Sequence, residues 1–86
     1  MNINDLISIV KKKLLNQIEI ESIQIEDKSF LHKNHVGNQK GKYHLKLTIF
    51  SEELKKMKKI ESTKKIYRIL DVELKEYIHS IQILIN

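Results

Sequence analysis

The sequence contains no cysteine. That absence removes a disulfide framework, a thiol nucleophile and any all-cysteine metal site, and it fits a reducing compartment. Aromatic residues are few: Phe30, Tyr43, Phe50, Tyr67 and Tyr77. A chain of 86 residues supports one core, and here that core must be aliphatic, with isoleucine as its main material. No apolar run approaches the roughly 20 residues that a membrane-spanning helix needs. The start, Met1-Asn2-Ile3-Asn4-Asp5, carries no basic residue, and the apolar stretch at 6–10 is too short for the centre of a signal peptide. The expectation is a single-domain, soluble, cytoplasmic protein that makes no membrane contact. Arginine is nearly absent as well, with Arg68 alone beside fifteen lysines in a chain of net charge +5. A basic balance attracts nucleic acid. Specific phosphate and base recognition, however, favours the bidentate arginine fork, so a solvated lysine surface is the plainer reading.

What is present is periodic. Ile3, Leu6, Ile7, Val10 and Leu14 recur at spacings of three and four, which predicts a helix from residue 2 to about 16. Asn2 followed by Asp5 suits its N-cap, and Lys11, Lys12 and Lys13 suit its C-terminal end. Ile23 and Ile25 alternate with Gln24 and Glu26, predicting a strand over 21–27. Ile18 and Ile20 have the opposite parity and fit the turn before it or a bulge. Residues 28–41 are polar, hold both glycines, and form a connection long for a hairpin, a place where function often resides. A second strand over 42–50 puts Tyr43, Leu45, Leu47 and Ile49 on one face, with His44, Lys46 and Thr48 on the other. Ser51 then caps a short helix to about residue 58. A longer helix follows to about 76, with a stripe of Ile60, Ile66, Tyr67, Leu70 and Leu74. A last strand over 78–85 turns Ile81, Ile83 and Ile85 inward. The predicted order is α-β-β-α-α-β, a single α+β domain whose three-stranded mixed sheet is covered by helices on one face.

Common chemical motifs fail. Gly37-Asn38-Gln39-Lys40-Gly41-Lys42-Tyr43 has one residue too few between its glycines for a phosphate loop, ends in tyrosine, and precedes a strand. The order of elements is like that of a KH domain, but the G-x-x-G clamp for RNA is missing. Ser29, His32 and Asp27 form a triad only on paper, because no strained nucleophile turn surrounds Ser29. Ser29 and Asp27 fit local turn hydrogen bonds instead. No enzyme is indicated.

The four histidines are the remaining candidates for chemistry. His32 and His35 share the loop, His44 opens the second strand, and His79 opens the third. Neutral imidazole ligates zinc, iron or copper. His44 reads as an ordinary surface or hydrogen-bonded residue. His35 stands open between ligand and surface. His79 stands equally open, since its parity with Ile81 allows a place at the margin of the core.

Three stretches carry a family likeness. Asp27-Lys28-Ser29-Phe30-Leu31-His32-Lys33-Asn34-His35 is similar to a D-x-S-x-x-H-x-x-H segment. His44-Leu45-Lys46-Leu47-Thr48-Ile49-Phe50-Ser51 is similar to an H-F-K-V strand that ends in serine. Ile78-His79-Ser80-Ile81-Gln82-Ile83 is similar to a V-H-A-L strand. Together, in this order and spacing, they resemble the BolA family over nearly the whole chain, residues 1–86. Two departures stand out. Lys56 occupies a place where the family often has glycine, and Ser62-Thr63-Lys64-Lys65-Ile66-Tyr67 keeps only the tyrosine and one base of an R-H-R-x-x-Y run.

The resemblance implies a fold related to class II KH domains. It also implies a heterodimer with a monothiol glutaredoxin, in which a 2Fe–2S cluster is held by glutaredoxin cysteine, glutathione and two side chains of this chain. His79 matches one ligand and His32 the other, with His35 as the reserve; the free protein is then a monomer with no cofactor of its own. Imidazole in place of thiolate lessens the cluster's negative charge and raises its potential. The alternative that the resemblance carries is a DNA-binding transcriptional regulator. On that reading residues 52–58 and 59–76 form a helix-turn-helix whose Lys55, Lys56, Lys58, Lys59, Lys64 and Lys65 meet phosphates.

Overall fold

The computed structural model describes residues 1–29 and 42–86. The first helix, α1 (Ile3–Gln17), buries Leu6, Val10 and Leu14 completely. Its N-cap is Asn2, whose Oδ1 accepts the Asp5 N–H at 2.9 Å. The helix runs past the three lysines, so its last turn holds no base. Ile18 leaves it in extended geometry, 3% exposed, and the chain turns there into the sheet without a bulge.

Strands β1 (Ser22–Asp27) and β2 (Tyr43–Phe50) pair antiparallel, from Ser22 opposite Phe50 to Asp27 opposite Leu45. The final strand, β3 (Ile78–Ile85), returns parallel to β2, and the strand order is β1-β2-β3. A parallel partner requires a crossover, which the helices between β2 and β3 supply. This register gathers Ile23, Ile25, Leu45, Leu47, Ile49, Ile81, Ile83 and Ile85 on one face. Leu6, Val10, Leu14, Leu54, Ile66 and Leu70 join them in one aliphatic core. Hydrophobic burial over that face holds the layers together.

The helical crossover differs from the expectation in two ways. Ser51 caps α2 (Glu52–Lys55), its Oγ accepting the Leu54 N–H at 3.2 Å and donating to the Glu19 carbonyl at 2.7 Å. That helix is a single turn and stops short of residue 58. The long helix expected next is two helices, α3 (Lys59–Ile69) and α4 (Asp71–Glu76), separated at Leu70, whose φ of −99° and ψ of 20° lie outside the helical basin. The order is therefore α-β-β-α-α-α-β.

The buried stripe is also different. Ile60 is 61% exposed and Tyr67 45%, whereas Ser62, Ile66, Leu70 and Glu73 are buried. Spacings of four, four and three keep those four residues on one line of a 3.6-residue helix; Tyr67, one position past Ile66, is rotated about 100° away. Glu73 is accommodated by Lys13 of α1, whose Nζ lies 2.7 Å from Oε2. The pair ties α4 to α1.

Candidate functional site

The site begins with a conflict of periodicities in β3. Ile78 is 2% exposed and faces the core, as do Ile81, Ile83 and Ile85. Ile78 and Ile81 are three residues apart, and a regular strand places such residues on opposite faces. The strand absorbs the extra residue in a bulge. Tyr43 pairs with Ile78, and the next pair is His44 with Ser80. His79 is left over between them and becomes exposed. Of the two places that its spacing left open, the core margin and an accessible position, the bulge gives it the accessible one.

His44 is the opposite case. Only 6% of it is exposed. Its backbone N–H donates to Ser29 Oγ at 3.1 Å, and its carbonyl accepts the Lys28 N–H at 2.7 Å. Its ring Nδ1 is hydrogen-bonded to Ser80 Oγ at 2.6 Å. The ring packs against that of His79, with centroids 4.9 Å apart and planes tilted by 56°. The reading of His44 as a hydrogen-bonded residue thus matches its surroundings, but its position beside His79 was not legible. One signal for it existed in the sequence: the odd spacing of Ile78 and Ile81 that forces the bulge.

Beside His44 lies a shallow cavity of about 360 Å³, flanked by Lys28, Lys46 and Ser80. Lys28 is paired with Glu26 at 3.2 Å. This lining is polar and basic, a setting that favours an anionic group beside His44. His32 and His35 lie outside the described residues. Among the described residues no cluster of three or more histidine and carboxylate side chains could hold a metal ion. An exposed imidazole can give one bond to a metal centre whose other ligands come from elsewhere.

Asp27 and Ser29 make the local bond expected of them, the Ser29 N–H donating to Asp27 Oδ1 at 2.9 Å. Of the six lysines proposed to meet phosphates, Lys55, Lys56, Lys58, Lys59 and Lys64 are exposed. Lys65 is engaged: its Nζ lies 2.6 Å from Glu53 Oε2. That bond, with the Glu19 N–H as second donor at 3.1 Å, holds the Glu53 carboxyl below its ordinary value of 4.5. The first helix of the expected helix-turn-helix is shorter than its predicted span of 52–58, a single turn at Glu52–Lys55.

Comparison with known proteins gives a consistent result. The sequence model of a family described as BolA-like protein matches residues 14–86. A curated relative from Haemophilus influenzae, named DNA-binding transcriptional regulator BolA, is 29% identical over 73 residues, which is 85% of this chain and 68% of the relative. Among solved structures, the BolA domain of SufE1 from Arabidopsis thaliana superposes with a TM-score of 0.78 at 23% identity, covering all of this chain and 93% of that one. BolA1 from Arabidopsis thaliana gives 0.75 at 26% identity, over 92% of this chain and 87% of that one. A bol-like protein from Babesia bovis gives 0.70 at 14%, over 91% and 79%.

Proposed function

Because the chain belongs to the BolA-like protein family, its model matching residues 14–86, we propose that it is a non-enzymatic partner protein that pairs with a monothiol glutaredoxin and lends His79 to a shared 2Fe–2S cluster. The observation that carries this reading is the bulge. It lifts His79 out of the strand pairing and leaves its imidazole exposed, while the buried His44 supports the ring from one side. A ligand held on a strand and backed by a packed neighbour costs little ordering when a partner arrives. Lys46 and Lys28 border the cavity beside His44, the neighbour of His79, and favour the negative charge that thiolates and glutathione carboxylates would bring. When bound, the cluster supplies one-electron chemistry or serves as cargo for transfer. This chain contributes a neutral ligand, a basic rim and a docking face. His32 is the proposed second ligand and His35 its reserve, in the segment of sequence between β1 and β2.

The test is to mix the pure protein with a cluster-loaded monothiol glutaredoxin and record visible absorption and circular dichroism. The expected result is a new spectrum that saturates at one equivalent. An unchanged spectrum with no complex on gel filtration contradicts the proposal.

A second reading, DNA binding, is favoured by the name of the Haemophilus influenzae relative and by the five exposed lysines at 55–64. Lysine contacts to phosphate give affinity that falls steeply with salt and choose little between sequences. A tight complex with one duplex at physiological salt, and little with scrambled DNA, would place this reading first.

A further inference from the structure

Among the described residues, strand β3 lies at the end of the sheet and pairs with β2 alone. At its end the Asn86 N–H donates to the Ile49 carbonyl at 2.8 Å, and the Asn86 carbonyl accepts the Ser51 N–H at 3.2 Å. The backbone of Asn86 therefore points toward β2. Alternation along the strand turns the N–H and C=O groups of Ile81, Ile83 and Ile85 the other way, toward the open edge. Among the described residues no hydrogen bond reaches them. Proteins usually protect such an edge with charges, proline or a covering element. From Ile78 to Ile85 there is no Asp, Glu, Lys, Arg or Pro, although charged residues make up 31% of the chain.

A groove of about 330 Å³ runs beside this edge. It touches Ile83, Leu84 and Ile85 together. Consecutive strand residues alternate between faces, so a cavity that reaches all three lies along the strand's edge. Leu54, Met57 and Thr63 form its opposite wall, and the exposed Lys55 and Lys59 stand beside them.

We propose that this edge and groove bind an extended peptide segment of a partner protein by strand addition. The backbone of the peptide pairs with Ile81, Ile83 and Ile85. Apolar side chains at alternate positions enter the groove beside Met57, and acidic residues meet Lys55 and Lys59. The outward backbone groups recur at the spacing of a polypeptide strand. The groove holds no aromatic ring on which a base could stack and no arginine, which disfavours single-stranded nucleic acid. A second copy of β3 is disfavoured too, because that strand has no acidic residue to offer the lysines. The surface is separate from His79, which lies at the other end of β3, about 17 Å away by strand rise.

The experiment selects peptides from a phage-displayed library of random dodecapeptides on the immobilised full chain. One selected peptide is then synthesised with its alternate backbone amides N-methylated in two complementary sets. The expected peptides alternate apolar residues and carry acidic flanks. One methylated set loses about tenfold or more in affinity while the other binds as before, the pattern of a strand bonded on one edge. Thr63→Trp, which fills the groove, and Lys55→Glu with Lys59→Glu should each weaken binding. The methylation test leaves the protein untouched, so it decides even where a variant misfolds. Selection of no peptide, peptides indifferent to both methylated sets, an oligothymidylate that binds in the groove instead, or a dimer in sedimentation that Thr63→Trp abolishes would each overturn the proposal.

Discussion

His44 and His79 sit on neighbouring strands with their rings 4.9 Å apart, one buried and bonded to Ser80, the other exposed. The buried ring acts as a support for the exposed one. His44→Ala removes that support and a buried hydrogen-bonded group, and should destabilise the fold by about 1–3 kcal/mol. Urea unfolding measures this. An unchanged midpoint would show that the ring is not held as described.

Leu47 is fully buried at the centre of β2, between Ile25 and Ile83. Leu47→Ala leaves a cavity beneath helices that cannot collapse far. The expected loss is about 2–5 kcal/mol, with the denaturant m-value unchanged. A loss below about 1 kcal/mol would mean that the core is looser than its packing indicates.

Lys13 and Glu73 join α1 to α4. Glu73 Oε2 has the lysine at 2.7 Å, while Oε1 is buried without a hydrogen-bond partner among the described residues. Lys13→Met leaves a buried carboxylate with neither oxygen paired and should cost about 1–3 kcal/mol. Glu73→Gln, which removes the charge and keeps the shape, should cost less. Chemical denaturation of both variants and of the double variant checks the order; a costlier Glu73→Gln would contradict it.

The Glu53 carboxyl is held below its ordinary value of 4.5, chiefly by the hydrogen bond from Lys65 and then by the Glu19 N–H. A carboxylate whose folded pKa is depressed adds stability above the unfolded value and loses it as pH falls through the folded value. The contribution is small at so exposed a site, and it fades below about pH 4.5. Lys65→Met should move the Glu53 titration upward, read by NMR of the side-chain carboxyl. A titration curve that does not move would assign the shift to another cause.

Much of this architecture was legible because single periods govern single elements. The alternation in β2 and the capping pattern at Asn2 and Ser51 each have one physical solution. Legibility failed where two periods meet. Ile60 and Tyr67 are apolar, yet α3 turns them outward, because its core line runs through Ser62 and Ile66 and continues past the break at Leu70 to Glu73 of α4, whose charge is matched by a lysine sixty residues earlier. No local pattern announces such a partner. The bulge at His79 has the same origin: Ile78 and Ile81 both need the core, and the residue between the two registers is pushed into solvent. Parity alone puts His79 inward. The strand order could not be read either, since pairing between β2 and β3 depends on how the helices fold back.

If His79 is a ligand of a cluster shared with a glutaredoxin, its ring nitrogen is magnetically coupled to that cluster. The most direct measurement is pulsed EPR of the reduced cluster in a complex where this chain carries ¹⁵N-labelled histidine and the glutaredoxin carries natural nitrogen. Ligation by His79 predicts ¹⁵N hyperfine couplings of the size expected for bonded imidazole; the His79 component is lost in His79→Ala, leaving at most that of the second ligand, and all are retained in His44→Ala. A complex that shows no ¹⁵N coupling, or one whose coupling survives His79→Ala unchanged, would contradict it and return His79 to the role of an exposed bulge residue.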